Sequence, residues 1–189
     1  MGDVLPWIVA IGASAGGVEP ICRLVAALSP KLSVVVIIAM HRKSGRVSYL
    51  EQILSRHTTM PVVVPANGEH LRAGVCYVSG AFSPLTVGPG HTARLAPAGN
   101  TRAIDALFFS LARHSAPRII GVVLSGLLGD GAQGLAAIKA AGGATFVQSP
   151  SEAAYKDMPR RAIELGPVDF IGNIDTLAEQ ICRILGGSR

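Results

Sequence analysis

The chain has 189 residues, of which 49% are hydrophobic and only 15% charged, with a net charge of +5. Ordinary globular chains carry about 25% charged residues, so this composition excludes a disordered protein and points to a sheet buried on both faces. The modest charge, the single Trp and the lack of a basic run with interleaved aromatics argue against a nucleic-acid binder.

In chain order, Trp7 to Ala13 reads as a strand, and Val18, Ile21, Cys22, Val25 and Leu28 follow at helical spacing, with Pro30 beyond the end. Ser33 to Met40 is a β-branched strand. Val47, Leu50, Ile53 and Leu54 mark a helix expected over Ser44 to His57. Pro61 to Val64 and Val75 to Ser79 are short strands. Leu85 to Gly88 and Thr92 to Leu95 flank Pro89-Gly90 as a hairpin. A helix carries Ile104, Leu107, Phe108, Leu111 and Ala112 on one face. The strand Arg118 to Ser125, the helix Ala132 to Ala141 and the strand Ala144 to Gln148 follow. Met158-Pro159-Arg160 opens a short helix with Pro in its first turn. Val168 to Ile171 is a strand, and Asp175 to Leu185 is the last helix. This alternation predicts an α/β fold: a doubly wound, mostly parallel, Rossmann-like sheet flanked by helices, with an added antiparallel hairpin. No internal repeat or linker divides it, so one domain over 1–189 is expected.

The longest apolar run, Val34 to Met40, is far short of the roughly 20 residues that cross a bilayer. No signal peptide opens the chain. Cys22, Cys76 and Cys182 are odd in number and widely spaced, which suits reduced thiols in a cytoplasmic protein. No His, Cys or acidic pair has metal-ligand spacing, and no cofactor is called for.

Ligands of open α/β sheets bind outside the carboxyl ends of the strands. The first strand ends at Ser14, within Gly12-Ala-Ser14-Ala-Gly16. The second ends at His41. The strand from Arg118 runs into Ser125-Gly-Leu-Leu-Gly-Asp130-Gly131. A serine, a histidine and an aspartate at three strand ends on one edge supply a nucleophile, a base and a group that orients the base. The plainer readings are a loop histidine at His41 and an N-cap at Asp130 for the helix from Ala132. The order Ser, His, Asp differs from the Ser, Asp, His order of α/β-hydrolases, although the glycine-flanked serine matches their elbow. His57, His70, His91, His114 and Asp105 rank below these three. Arg42, Lys43 and Arg46 form either a solvated loop or a rim for an acidic partner.

Taken together, several motifs resemble the catalytic domain of the CheB chemotaxis methylesterases. They are Ile11-Gly-Ala-Ser14-Ala-Gly-Gly17, His41 after its strand, Gly74-Val-Cys-Tyr-Val-Ser-Gly80, Ile104-Asp105-Ala-Leu107-Phe108, Val123-Leu-Ser125-Gly-Leu-Leu-Gly-Asp130-Gly-Ala132 and Met158-Pro159-Arg160. The resemblance covers nearly the whole chain. It implies a Ser-His-Asp triad at Ser14, His41 and Asp130. It further implies hydrolysis of glutamate γ-methyl esters on the cytoplasmic helices of chemoreceptors, with release of methanol. Deamidation of receptor glutamines is a second activity of the family.

The chain departs from the family in several places. No N-terminal receiver domain is expected. Ala15 follows the serine where Thr is common. Gly126-Leu-Leu-Gly-Asp-Gly131 stands where Gly-Met-Gly-Asn-Asp-Gly is usual, so Leu127 replaces a Met. Arg102-Ala103 stand where Pro-Ser is common. Two other readings stay open: a non-catalytic receptor-binding homologue, and a nucleotide-binding domain whose Gly12 to Gly17 turn cradles a phosphate. Against the second, the second strand ends in His41 and Arg42 and not in an acidic ribose ligand.

Overall fold

A computed structural model describes residues 6–41, 49–80, 83–96 and 102–186. Among these residues seven strands form one sheet: β1 (Trp7–Ala13), β2 (Val34–Met40), β3 (Val62–Val63), β4 (Cys76–Val78), β7 (Ile119–Val123), β8 (Ala144–Gln148) and β9 (Phe170–Gly172). Their order is β3-β4-β2-β1-β7-β8-β9, and every pair is parallel. The strands β5 (Leu85–Gly88) and β6 (Thr92–Leu95) pair antiparallel outside this sheet. This is the doubly wound architecture with a hairpin that the element order predicts.

Both sheet faces are dry, and the strand residues divide between them by alternation. Val9, Ile11 and Ala13 of β1 join Val34, Val36 and Ile38 of β2 on one face. There they pack on α1 (Val18–Ala27), α2 (Leu50–Leu54) and α6 (Ile174–Gly186). Ile8 and Ala10 join Val35, Ile37 and Ala39 on the other face, beneath α3 (Ala103–His114), α4 (Ala132–Ala140) and α5 (Asp157–Leu165). The hairpin contributes Leu85, Val87 and Ala93 to this second core. Fully burying one such side chain stabilises by about 1.5–3 kcal/mol, so two strands with no exposed face anchor the centre of the sheet.

Two expectations need correction. Among the described residues, the helix expected over Ser44 to His57 is regular over Leu50–Leu54, and residues 55–57 form a turn. In that turn His57 N–H bonds the Leu54 carbonyl three residues back, so the last turn tightens and stops. The expected start of that helix, together with Arg42, Lys43 and Arg46, lies outside the described residues. The strand expected from Val168 begins at Phe170, because the Asp169 carboxylate leaves the strand pattern to accept the Thr145 N–H at 2.9 Å.

The three cysteines are free thiols. Cys76 lies within the sheet core, where burial pushes its pKa up to about 12. Among the described residues no helix is long and apolar enough to cross a membrane.

Candidate active site

The sheet register brings the site together. Ala13 lies opposite Met40, and the ladder runs one step further as His41 N–H donates to the Ala13 carbonyl at 3.2 Å. Ser14 and His41 are therefore neighbours at the carboxyl ends of paired parallel strands. On the other side of β1, Leu124 N–H donates to the Gly12 carbonyl and Ser14 N–H to the Ser125 carbonyl, at 2.9 and 3.0 Å. This fixes the β7–α4 loop against the serine. The central strand thus carries Ser14, with His41 supplied from one neighbour and Asp130 from the other.

His41 Nε2 lies 2.5 Å from Asp130 Oδ2. The Asp130 side chain is 6% exposed and that of His41 32% exposed. The same carboxylate accepts three backbone N–H groups, each at 2.9 Å: Ile104 on Oδ2, and Asp105 and Gly131 on Oδ1. Burial pushes the Asp130 pKa up, but the His41 hydrogen bond and the N–H groups of Asp105 and Ile104 outweigh it. The result lies below the ordinary carboxylate value. An ionised carboxylate only accepts, so Nε2 carries the ring proton and Nδ1 holds the lone pair of the neutral imidazole.

Asp130 does not cap the helix that follows it, as the plainer sequence reading has it. Gly131 takes the N-cap position of α4 without any side-chain cap. Asp130 instead receives the first N–H groups of α3, where an anion is favoured. Asp105 ranks low by sequence, yet it is 3% exposed and belongs to the same framework. Its Oδ1 accepts Gly134 N–H of α4 at 2.7 Å, and its Oδ2 binds Arg102 Nε and Nη2 at 2.8 and 2.5 Å.

Ser14 Oγ makes no hydrogen bond to a described residue, so the serine and the histidine are adjacent but not joined. Catalytic contacts are often loose before substrate binds. The serine is held closely by its surroundings. A Cβ at Gly126 would stand 2.9 Å from Ser14 Cβ and collide with Met158 Sδ, so only glycine fits between them. The fully buried Ser125 hydroxyl donates to the Ala15 carbonyl at 2.9 Å and accepts Tyr155 N–H at 3.0 Å, tying the serine turn to the approach of α5. Sequence reasoning left Ser125, Tyr155 and Met158 without a role. The signal available was that Ser125 is the first polar residue after a wholly apolar strand.

Leu127 and Leu128 are exposed beside this turn, and Leu128 is 81% exposed with a left-handed φ of 66°. Among the lesser histidines, His91 is buried in the hairpin turn. Burial lowers its pKa, and Nε2 has no partner among the described residues. His70 Nδ1 lies 3.3 Å from the Gly90 carbonyl. Neither belongs to the cluster at the strand ends.

Comparison with known proteins agrees with this architecture. The family model described as CheB methylesterase matches residues 9–181. A Geobacter sulfurreducens protein-glutamate methylesterase/protein-glutamine glutaminase is 32% identical over 186 residues, covering 95% of this chain and 50% of that protein. A Paramagnetospirillum magneticum protein of the same name is 34% identical over 185 residues, covering 96% of this chain and 52% of that protein. The chain spans about half the length of the curated relatives it matches. The crystal structure of the Thermotoga maritima CheB methylesterase catalytic domain superposes with a TM-score of 0.87 at 21% identity. That match covers 96% of this chain and all of the other, and so shares its fold. By the extent of the family match and the identity to these relatives, the chain belongs to the CheB methylesterase family.

Proposed function

We propose that this protein is a serine esterase that removes methyl groups from glutamate γ-methyl esters on the cytoplasmic helices of chemoreceptors, releasing methanol, and that it acts in the cytoplasm. The observation that carries the reading is the 2.5 Å contact between His41 Nε2 and Asp130 Oδ2, at the strand end beside Ser14. Asp130, ionised and held by backbone donors, orients the ring and stabilises the imidazolium that forms when His41 takes a proton. Nδ1 faces the task of base. Ser14 Oγ attacks the ester carbonyl while its proton passes to Nδ1, giving a tetrahedral intermediate. Methanol leaves with that proton, and water hydrolyses the glutamyl-enzyme by the same route in reverse.

The negative oxygen of the intermediate needs donors. We assign Ala15 N–H, which follows the nucleophile, and Leu127 N–H, which follows the glycine packed on Ser14. Neither donates to a described residue. Each donor of this type is worth about 10²–10³ in rate. The names of the relatives add glutamine deamidation, which the same acyl chemistry performs with ammonia as the leaving group.

Methanol release from a methylated receptor fragment tests the proposal, with a fluorophosphonate probe alongside. Ser14→Ala should lose up to about 10⁶ in turnover. It should also lose all labelling. Undiminished turnover in a folded Ser14→Ala protein would exclude Ser14 as nucleophile. Labelling at Ser14 without methanol release would favour a different ester, and absence of both would favour a non-catalytic receptor-binding homologue.

A further inference from the structure

A cavity of about 280 Å³ opens beside the proposed triad, and His41, Asp130 and Arg161 line it. Leu128 and Leu165 supply apolar sides. The position of Arg161 follows from Gly129. A Cβ at Gly129 would stand 2.9 Å from Arg161 Cγ, so the arginine stem crosses the loop where no side chain intervenes.

The charges around this cavity are unequally satisfied. Arg102 is engaged by Asp105 through two nitrogens. Asp130 accepts from His41 and from three backbone N–H groups. Arg161 has an ion pair with Glu164 at 3.4 Å, in which both side chains are more than half exposed. An exposed pair of this kind holds weakly and yields to a competing carboxylate. The guanidinium also offers a planar fork of donors that matches a carboxylate.

Position relates this charge to the serine. Met158 packs on Gly126, which touches Ser14. Arg161 lies three residues further along α5, about 4.5 Å along the helix axis, at the exposed border of the buried face that holds Met158. Two side chains one turn apart on a substrate helix are separated by about 5–6 Å at Cβ. A substrate helix laid across Ser14 can therefore bring one side chain to the serine and the next to the cavity.

We infer that the cavity under Arg161 is a subsite for a carboxylate on a short apolar stem, carried by the substrate about one helical turn from the scissile ester. The inference rests on the esterase reading of Ser14. Leu128 and Leu165 take the methylenes, and Arg161 takes the charge.

The test compares p-nitrophenyl acetate with mono-p-nitrophenyl glutarate, read as the ratio of kcat/KM for the anionic ester over the neutral one. Arg161→Ala should lower this ratio by about fivefold. Arg161→Glu should lower it further, and Arg161→Lys should retain part of it. Glu164→Gln, which removes the competing carboxylate, should raise it. About 0.5 M salt should shrink the wild-type preference by screening. An unchanged ratio in Arg161→Ala and Arg161→Glu, with Ser14→Ala inactive on both esters, overturns the subsite and leaves the esterase reading standing. Full hydrolysis of both esters by Ser14→Ala overturns the esterase reading, and the subsite with it.

Discussion

Asp130 and Asp105 cap one another's helices. Asp130, just ahead of α4, accepts Ile104 and Asp105 N–H at the start of α3. Asp105, in the first turn of α3, accepts Gly134 N–H in the first turn of α4. The proposed orienting carboxylate is thus fixed by a partner that never reaches the histidine. Asp105→Ala should lower stability by about 1–3 kcal/mol, because a buried donor is left unmet. Urea denaturation reads this directly. Stability equal to wild type would mean that water replaces the cap.

Ring orientation at His41 gives a second prediction. Because Nε2 faces Asp130, a glutamine amide nitrogen can stand in for that end of the ring, but no base remains near Ser14. His41→Gln and His41→Ala should both lose about 10⁴-fold or more in turnover. His41→Gln should be the more stable of the two, since His41→Ala leaves the buried Asp130 short of a partner. Equal melting temperatures for the two variants would argue that the contact contributes nothing to stability.

The depressed pKa of Asp130 makes stability depend on acid pH. Its unfolded value is about 3.9. The folded value lies lower, since the His41, Asp105 and Ile104 hydrogen bonds outweigh the opposing effect of burial. The contribution is therefore fully present above about pH 4 and is lost as pH falls through the folded value. The stability advantage of wild type over Asp130→Asn should shrink below about pH 4. Asp169 shifts downward too, with burial opposed by Lys139 and Thr145, but it is common to both proteins and cancels. An advantage that grows on acidification would reverse the sign and refute the account.

Much of this was legible in the sequence, for physical reasons. Strands buried on both faces read as unbroken apolar runs, so β1 falls over Trp7–Ala13 as the pattern puts it, while the Pro89-Gly90 turn places the hairpin strands Leu85–Gly88 and Thr92–Leu95. Ser14, His41 and Asp130 stood out because each is the first chemically distinctive residue beyond a strand or its turn. The capping partner of Asp130 was not legible. An aspartate before a helix looks like that helix's own cap, and only the packing of α3 beside α4 reveals the exchange. Arg161 escaped notice because its meaning depends on the missing side chain at Gly129, which lies 32 residues earlier in the sequence. The end of the helix expected to reach His57 was misplaced because α2 meets the core only through Leu50 and Leu54, with Ile53 partly buried beside them.

Ser125 offers a fourth prediction, since its hydroxyl bridges the Ala15 carbonyl and Tyr155 N–H. Ser125→Ala should leave Tyr155 N–H unmet and loosen the turn that presents Ser14. Stability should fall by about 1–3 kcal/mol. Turnover on a small ester should fall while KM stays close to wild type, because the hydroxyl bonds the serine turn and not the ester. A change confined to KM would place Ser125 in substrate binding instead.

The sheet order also dictates when a refolding chain can become active. Ser14 and His41 sit on β1 and β2, which are linked by one helix and pair early from a local contact. Asp130 is 89 residues from His41 in the chain and arrives only when β7 docks on the opposite edge of β1. A collapsed intermediate with most of its helices formed would then hold the proposed nucleophile and base but no carboxylate to align the ring. During refolding, reactivity toward the fluorophosphonate probe should trail the recovery of helical circular dichroism, so that catalysis marks the docking of β7 on β1.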